Sequence, residues 1–314
     1  MARYQPVHGR KSPPRPLPRR NLFFAVGGAS FVALSTLVLL NLSSSPTSTQ
    51  VAGAAVTTKI TTTTVVVSNP FAAPISAYLA TRNNTVSVAF QDLQTGQITL
   101  LGSQAPQFTA SMSKLDIAET LVHQQPPGAP IVPEHLKTTL ASMLEWSDND
   151  AAVRLWKAVG NGPAISAFNE AIGMESTEVP HWEAFGRVKT TPHDQLILLN
   201  QLLPNSVNSL LSNAQRRYLL TLLDHVVSDQ RWGVSGGMPP GATADLKNGW
   251  VPLDGMGVPD WQVNSAGWVH GGGVNFLLAV MTTGNANKEY GVATIDGVAK
   301  IVEQVLAHQA SPSA

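Results

Sequence analysis

Nineteen consecutive uncharged residues, positions 22–40, constrain this chain more than any other feature of its sequence. As a helix they would extend about 28 Å, enough to cross the hydrocarbon core of a bilayer. The twenty residues before them hold six Lys/Arg and no Asp or Glu, and such a basic flank stays on the cytoplasmic side of a membrane. We therefore predict a basic cytoplasmic tail (1–20), a transmembrane anchor (21–41) and an extracytoplasmic remainder.

A cleaved signal peptide is the alternative interpretation of this region, with Ala52-Gly53-Ala54 as its cleavage site. We favour the uncleaved anchor because the apolar run is longer than a usual signal core and ends well before that site. The protein is then a single-pass protein of the cell membrane, or a secreted one if the anchor is cut. Residues 42–69 are rich in Ser and Thr and predict a flexible linker, followed by a globular domain over 70–310.

The charges of the chain are unevenly distributed. No Asp or Glu precedes Asp92, and the residues from there onward hold 12 Lys/Arg against 20 Asp/Glu. So acidic a body has no basic face for nucleic acid, which requires clustered Lys/Arg. The absence of cysteine excludes disulfides, thiolate metal sites and cysteine nucleophiles. The eight histidines show no metal-ligand spacing, so we predict no metal site.

Hydrophobic periodicity predicts strands at both ends of the globular domain, with helices between them. The predicted strands are 85–92, 97–102, 243–248, 261–269 and 276–282. The predicted helices are 71–81, 111–123, 134–146, 150–159, 163–172, one that begins at Thr191, one that begins after Ser212, and 291–308. This order indicates a single α+β domain whose sheet unites the two ends of the chain.

Ser111 and Lys114 lie three positions apart at the predicted start of a helix. That spacing puts the hydroxyl and the amine on one face, close enough for proton transfer. The helix N-terminus adds partial positive charge, which lowers a lysine pKa and stabilises an oxyanion. The pattern is typical of a serine nucleophile with a lysine base. Taken alone, however, this common spacing is better explained by a solvated first turn.

Ser147, Asp148 and Asn149 lie between two predicted helices. A hydroxyl there could relay a proton, and an amide could orient a substrate carbonyl. Taken alone, Asp148 or Asp150 as the cap of the next helix is the simpler interpretation.

Lys247, Asn248, Gly249 and Trp250 end a predicted strand. A glycine lets the backbone approach a ligand closely, and the N–H group after it can donate to an oxyanion. The alternative is an ordinary Asn-Gly hairpin turn.

Together the three motifs, Ser-x-x-Lys, Ser-Asp-Asn and Lys-x-Gly in this order, resemble those of the penicillin-recognising serine hydrolases, most closely the class A β-lactamase branch. The resemblance covers roughly Pro70 to His308. It implies a β-lactamase/transpeptidase-like α+β fold, in which an antiparallel sheet is flanked by helices and joined by a helical subdomain, behind the N-terminal transmembrane helix. No cofactor is implied.

The resemblance assigns catalytic roles to four residues. Ser111 is the expected acylated nucleophile, Lys114 its proton acceptor, and Ser147 the proton shuttle to the leaving nitrogen. Glu183 follows His and Trp in a stretch that is similar to the family's Arg-Trp-Glu, whose glutamate activates the water that frees the acyl-enzyme. Only nine positions separate Glu183 from Pro192, fewer than the family's loop contains, so its role in deacylation is left open.

The resemblance also implies a substrate-binding set. Asn149 is expected to bind the substrate amide, and Lys247 to face the substrate carboxylate. Asn248 replaces the customary Thr or Ser of the third motif, so a hydroxyl that binds this carboxylate is lost. Gly249 allows close approach, and the N–H of Trp250 is expected to form the oxyanion hole with that of the nucleophile.

The predicted function is therefore a membrane-anchored extracytoplasmic serine hydrolase that is acylated on Ser111 by a β-lactam or by a D-Ala-D-Ala-type amide of the cell wall. The alternative is a non-catalytic domain that binds cell-wall peptide or a membrane partner on the same scaffold. We expect a monomer without a nucleic-acid partner.

Overall fold

The structure is a computed structural model that describes residues 69–181, 185–253 and 260–310. The longer strands are β1 (Thr85–Asp92), β2 (Ile98–Leu101), β5 (Ala242–Pro252), β6 (Trp261–Gly271) and β7 (Val274–Asn285). Within the described residues they form one sheet in the order β2-β1-β7-β6-β5, and each neighbouring pair is antiparallel. The first strand therefore pairs with the last, as the sequence predicts. A separate two-residue ladder joins β3 (Gln107–Phe108) to β4 (Lys189–Thr190).

Helices cover both faces of this sheet. They are α1 (Ala72–Leu79), α2 (Ser113–His123), α3 (Glu134–Glu145), α4 (Asn149–Ala158), α5 (Asn161–Ile172), α6 (Pro192–Asn200), α7 (Asn213–Asp224) and α8 (Lys288–Ala310). Their ends follow local sequence signals. Thr191 caps α6 by accepting a hydrogen bond from the Asp194 N–H, and Ser212 and Gln215 form a reciprocal capping box at the start of α7.

The core divides into two layers because alternate residues of each strand point to opposite faces. On β7, Leu277, Ala279 and Met281 face the helical layer of α2 to α7. Phe276, Leu278 and Val280 face the layer formed by α1 and α8. The sheet is thus buried on both sides, and the helices α2 and α4 bring residues of the first and second motifs toward β5.

Most predicted elements are confirmed to within a few residues, and the differences lie near the motifs. Ser111 precedes α2 in a 3₁₀ turn, Ala110–Met112, rather than in the first turn of the helix. The strand predicted over 243–248 continues through Gly249 to Pro252, so the Asn-Gly pair lies inside a strand and the hairpin-turn interpretation is wrong. Strands β3 and β4 were not predicted because two residues are too few to show alternation.

No helix in the described part of the chain is long and apolar enough to span a membrane. The predicted anchor (21–41) and its basic tail lie outside the described residues.

Candidate active site

The 3₁₀ turn that carries Ser111 is fixed from two sides. Ala110 has a φ of +49°, a left-handed conformation that non-glycine residues adopt only where the surroundings hold them. Both the N–H and the hydroxyl of Thr109 donate to the carbonyl of Val188, at 2.8 and 3.0 Å. The buried hydroxyl of Ser113 donates to the carbonyls of Ala110 and Phe185. The turn is therefore locked before any substrate arrives.

Lys114 lies at the centre of the site and is completely buried. Its Nζ is 3.0 Å from Ser111 Oγ, 3.1 Å from Ser147 Oγ and 2.8 Å from Asn149 Oδ1, and it also donates to the carbonyl of Ser147. Burial lowers the pKa of Lys114 to about 8, an effect that the carboxylate of Asp148 partly opposes. About a tenth of the amine is consequently neutral at pH 7, far more than for an ordinary lysine, and able to take a proton.

Ser147 lies between two lysines. Its Oγ is 3.1 Å from Lys114 Nζ and 3.1 Å from Lys247 Nζ. Its φ of +58° again places a non-glycine residue in the left-handed region. The neighbouring Asp148 explains how this conformation is held, since it accepts from the Ala151 N–H as the cap of α4 and from the hydroxyl of Ser142. The capping interpretation of Asp148 is confirmed, and the hydroxyl of Ser147 links the first and third motifs.

Lys247 extends from β5 into the same network. It is 1% exposed, and its Nζ contacts Ser147 Oγ and the carbonyl of Asn248. Burial, and secondarily the charge of Lys114, lowers the pKa of Lys247 to about 7. Two buried amines on opposite sides of one hydroxyl therefore disfavour each other's charge, and protons within this cluster are held weakly.

Gly249 brings β5 against the nucleophile turn. A Cβ at this position would lie 2.3 Å from Thr109 O and 2.8 Å from the backbone nitrogens of Ser111 and Met112. The backbone N–H of Trp250 is the next donor along this strand. Its indole packs instead in the layer of α1 and α8, at 5.8 Å from the ring of Trp232.

Asn248 departs from its expected role. Its side chain is buried, and its Nδ2 donates to the carbonyls of Gln230 (2.7 Å) and Trp232 (3.0 Å). The amide donor that could have replaced the family's hydroxyl is thus engaged in holding the segment before β5. The side chain of Asn248 therefore supports the fold and makes no hydrogen bond with the cluster around Lys114.

The sequence motifs are brought together with two exceptions. The described structure gathers Ser111, Lys114, Ser147, Asn149 and Lys247 into one hydrogen-bonded cluster. Asn248 lies outside this cluster, and Glu183 falls in residues 182–184, outside the described part of the chain.

Two supporting residues were missed by the sequence analysis. Thr109 and Asn264 anchor the nucleophile turn, the latter by donating from Nδ2 to the carbonyl of Phe108 at 2.8 Å. Asn264 also accepts from the N–H of Thr282 and so ties the turn to β7. A buried polar residue in the middle of an apolar strand is the signal that could have identified Asn264.

Sequence comparisons identify relatives. Residues 118–306 match the family model described as the beta-lactamase enzyme family. A putative lipoprotein, LppW, of Mycobacterium tuberculosis is 27% identical over 175 residues, which are 53% of this chain and 54% of the relative, and the Mycobacterium bovis protein of the same name gives the same values. The chain thus spans about half the length of the curated relatives that it matches.

Solved structures share the fold. A variant of the last common ancestor of Gram-negative class A β-lactamases superposes with a TM-score of 0.63 at 20% identity, covering 77% of this chain and 100% of that one. A β-lactamase from Burkholderia vietnamiensis gives 0.61 at 19%, covering 74% and 97%. The protein PBP-A gives 0.63 at 20%, covering 77% and 97%. Because the family model matches more than half of the sequence, and the described residues adopt this fold, the chain belongs to the beta-lactamase enzyme family.

Proposed function

We propose that this protein is a serine hydrolase that is acylated on Ser111 by a β-lactam or by a D-Ala-D-Ala-type amide. The observation that carries the proposal is the 3.0 Å contact between Ser111 Oγ and the Nζ of a fully buried lysine. Burial lowers the pKa of Lys114 to about 8, so the amine can act as a base near neutral pH. A lysine with a purely structural role would require neither a contact with a serine hydroxyl nor a lowered pKa.

The proposed acylation moves one proton through the cluster. Ser111 Oγ attacks the amide carbonyl and passes its proton to the neutral amine of Lys114, and an Oγ–C bond forms. The backbone N–H groups of Ser111 and Trp250 are proposed to stabilise the oxyanion. As the C–N bond breaks, the hydroxyl of Ser147 gives its proton to the leaving nitrogen and is reprotonated by a neighbouring lysine. Lys247 and Asn149 would orient the carboxylate and the amide of the substrate.

The two substrate classes differ in the fate of the acyl-enzyme. A β-lactamase must hydrolyse this ester, a step that we assign to Glu183 only if its shortened segment brings a water to the acyl carbon. A peptidase or penicillin-binding protein would keep a β-lactam adduct for a long time. The engaged amide of Asn248 weakens recognition of a carboxylate by the third motif for both classes, so the fate of the acyl-enzyme is what distinguishes them.

The proposal is tested by incubating the purified full-length chain with benzylpenicillin and following the intact mass with time. We expect an adduct that is absent from Ser111→Ala and present in Ser176→Ala, which removes an exposed hydroxyl remote from the cluster. An adduct that clears while opened product accumulates would identify a β-lactamase, and a persistent adduct would identify a penicillin-binding type. An adduct that survives in Ser111→Ala would overturn the assignment of the nucleophile.

Acylation should depend on pH through Lys114. Because the neutral amine accepts the proton, and burial lowers its pKa to about 8, the second-order rate constant for acylation should rise from pH 6 and level off above the pKa. The measurement is the rate of adduct formation across about pH 6–9 at constant ionic strength. A rate that does not change over this range would exclude Lys114 as the base.

A non-catalytic binding domain is the second candidate function. The observation in its favour is again Asn248, whose side chain serves the fold rather than a substrate. Such a domain would retain its cell-wall or membrane partner in Ser111→Ala, whereas covalent labelling of the unaltered chain would exclude a binding-only role.

We propose that the domain lies outside the cytoplasm, tethered by residues 21–41. One support is the uncharged run that follows a basic segment. The other is that the relatives are named putative lipoproteins, a class of protein that associates with membranes. This sequence has no cysteine to carry a lipid, so the apolar segment is the proposed anchor. Protease protection in oriented membrane vesicles tests the orientation.

A further inference from the structure

A cavity of about 480 Å³ lies next to the Ser111 turn and has no part in the machinery described above. Its lining residues come from three segments that meet at one end of β5: Phe108, Gly186, Arg187, Val251, Pro252 and Leu253. Only one of them carries a charge.

The position of this cavity follows from its lining. Gly249 lies against the backbone of Ser111, and Val251 lies two residues further along β5, on the same face of the strand. Phe108 immediately precedes the Thr109 that anchors the nucleophile turn. Gly186 comes one residue after Phe185, whose carbonyl holds Ser113. A group attached to the acyl carbon of a substrate on Ser111, and directed along β5, would enter this space.

The charge of the cavity is unusual for this domain. Arg187 is exposed, and no carboxylate pairs with it among the described residues. The nearby Lys189 is already paired with Glu178 at 3.4 Å. From Asp92 onward the chain carries an excess of acidic over basic residues. A guanidinium of this kind, in a cavity whose other described lining residues carry no charge, is therefore an attractive point for an anion.

We propose that this cavity selects substrates whose acyl group bears a carboxylate, with Arg187 as the specificity-determining residue. The inference rests on the proposed acylation of Ser111 and adds to it the chemistry of the acyl side. Phe108, Val251 and Leu253 would contact the apolar stem of the group, while the planar guanidinium would bind the carboxylate through two parallel hydrogen bonds. The carboxylate could belong to a β-lactam side chain or to an acidic residue of a peptide.

The test compares two penicillins that differ by one group, benzylpenicillin and its α-carboxy derivative. The quantity measured is the second-order rate constant for acylation of the full-length chain by the α-carboxy derivative, divided by that for benzylpenicillin. For Arg187→Gln this ratio should fall about fivefold, the upper range for one exposed ion pair. Arg187→Lys should keep most of the preference. The matched control is Arg217→Gln, which removes an exposed charge from α7 and should leave the ratio unchanged.

Two further measurements, one of ionic strength dependence and one with peptide substrates, test the role of Arg187 independently. The preference of the unaltered chain for the carboxylated compound should shrink at high ionic strength, because exposed pairs are screened. Peptides that end in D-Ala-D-Ala and carry a side-chain carboxylate or carboxamide before the scissile bond show whether Arg187 also recognises a carboxylate in a peptide substrate. An equal ratio in Arg187→Gln and in the unaltered chain would overturn the role of Arg187 alone. Failure of every compound to acylate Ser111 would overturn the proposed function and this inference with it.

Discussion

Replacing Gly249 by alanine should lower the rate of Ser111 acylation by about a hundredfold or more, the usual cost of losing an oxyanion donor. The added methyl group would meet Thr109 O at 2.3 Å and the nitrogens of Ser111 and Met112 at 2.8 Å. These are backbone atoms of a locked turn, so the strand must move instead. The N–H of Trp250 would then shift away from the position that we assign to the oxyanion. The measurement is adduct formation with benzylpenicillin.

A loss of rate has to be separated from a loss of fold. Gly297→Ala on α8 is the matched control, because its Cβ would clash with the side chain of Tyr78 on α1, in the layer of the core opposite the site. We expect this control to lower the melting temperature and to retain acylation by its folded fraction. Wild-type acylation in Gly249→Ala would contradict the assignment of an oxyanion donor to this strand.

Replacing Asp116 by asparagine should change how stability depends on pH. Asp116 and Glu119 of α2 are fully buried, and their oxygens have no hydrogen-bond partner among the described residues. Burial raises the pKa of Asp116 to about 7, with a contribution from the charge of Asp194. The nearby amide of Asn169 opposes this rise in the pKa of Asp116, although the two side chains do not meet the geometry of a hydrogen bond. Burial also holds the pKa of Glu119 well above its ordinary value.

The sign follows from proton binding. The unfolded chain releases the Asp116 proton near pH 4, whereas the folded chain keeps it until about pH 7. Between these values the folded state binds more protons, so the free energy of unfolding falls as the pH rises. A shift of this size corresponds to about 4 kcal/mol. Because the window from pH 4 to pH 7 does not extend beyond both pKa values, the free energy of unfolding of Asp116→Asn should fall by about 3 kcal/mol less across it than that of the unaltered chain.

Urea denaturation at several pH values in this window measures the effect. The control is Glu170→Gln, which removes one negative charge from an exposed position of α5 and should leave the slope unchanged. The window ends at pH 7 because the lysines of the site contribute above it, with the opposite sign. Parallel curves for the unaltered chain and Asp116→Asn would show that this carboxyl is not the protonated group.

The sequence predicted the site better than it predicted how the site is held. Ser111, Lys114, Ser147 and Lys247 were identified because the three motifs, in this order, resemble those of the penicillin-recognising serine hydrolases, whereas each motif alone favoured an ordinary turn or helix cap. Burial of the two lysines could not be predicted, since it depends on the packing of α2 and β5 against elements remote in sequence. The lowered pKa values of both amines result from that packing.

Asn248 shows a second limit of sequence reasoning. Its place in the third motif put it in the expected substrate-binding set, but its side chain donates to the carbonyls of Gln230 and Trp232. The motif alone could not reveal this because the two carbonyls belong to a segment 18 and 16 residues away in the sequence. Burial of Asp116 and Glu119 was also not predicted. Acidic residues on a helix normally indicate its exposed face, whereas α2 is buried on every side.

The central position of β7 imposes an order on folding. Thr85 pairs with Thr283, roughly 200 residues away, and β7 separates the β1-β2 hairpin from the β5-β6 hairpin. A chain that is synthesised from its N-terminus can form the β1-β2 hairpin early and the β5-β6 hairpin late, but it cannot join them until β7, its last strand, is available. Until then each hairpin exposes a bare edge, and Gly249 has no rigid sheet with which to reach the Ser111 turn. The nucleophile is therefore present early in synthesis, whereas its chemistry becomes possible only when nearly the whole chain has been made.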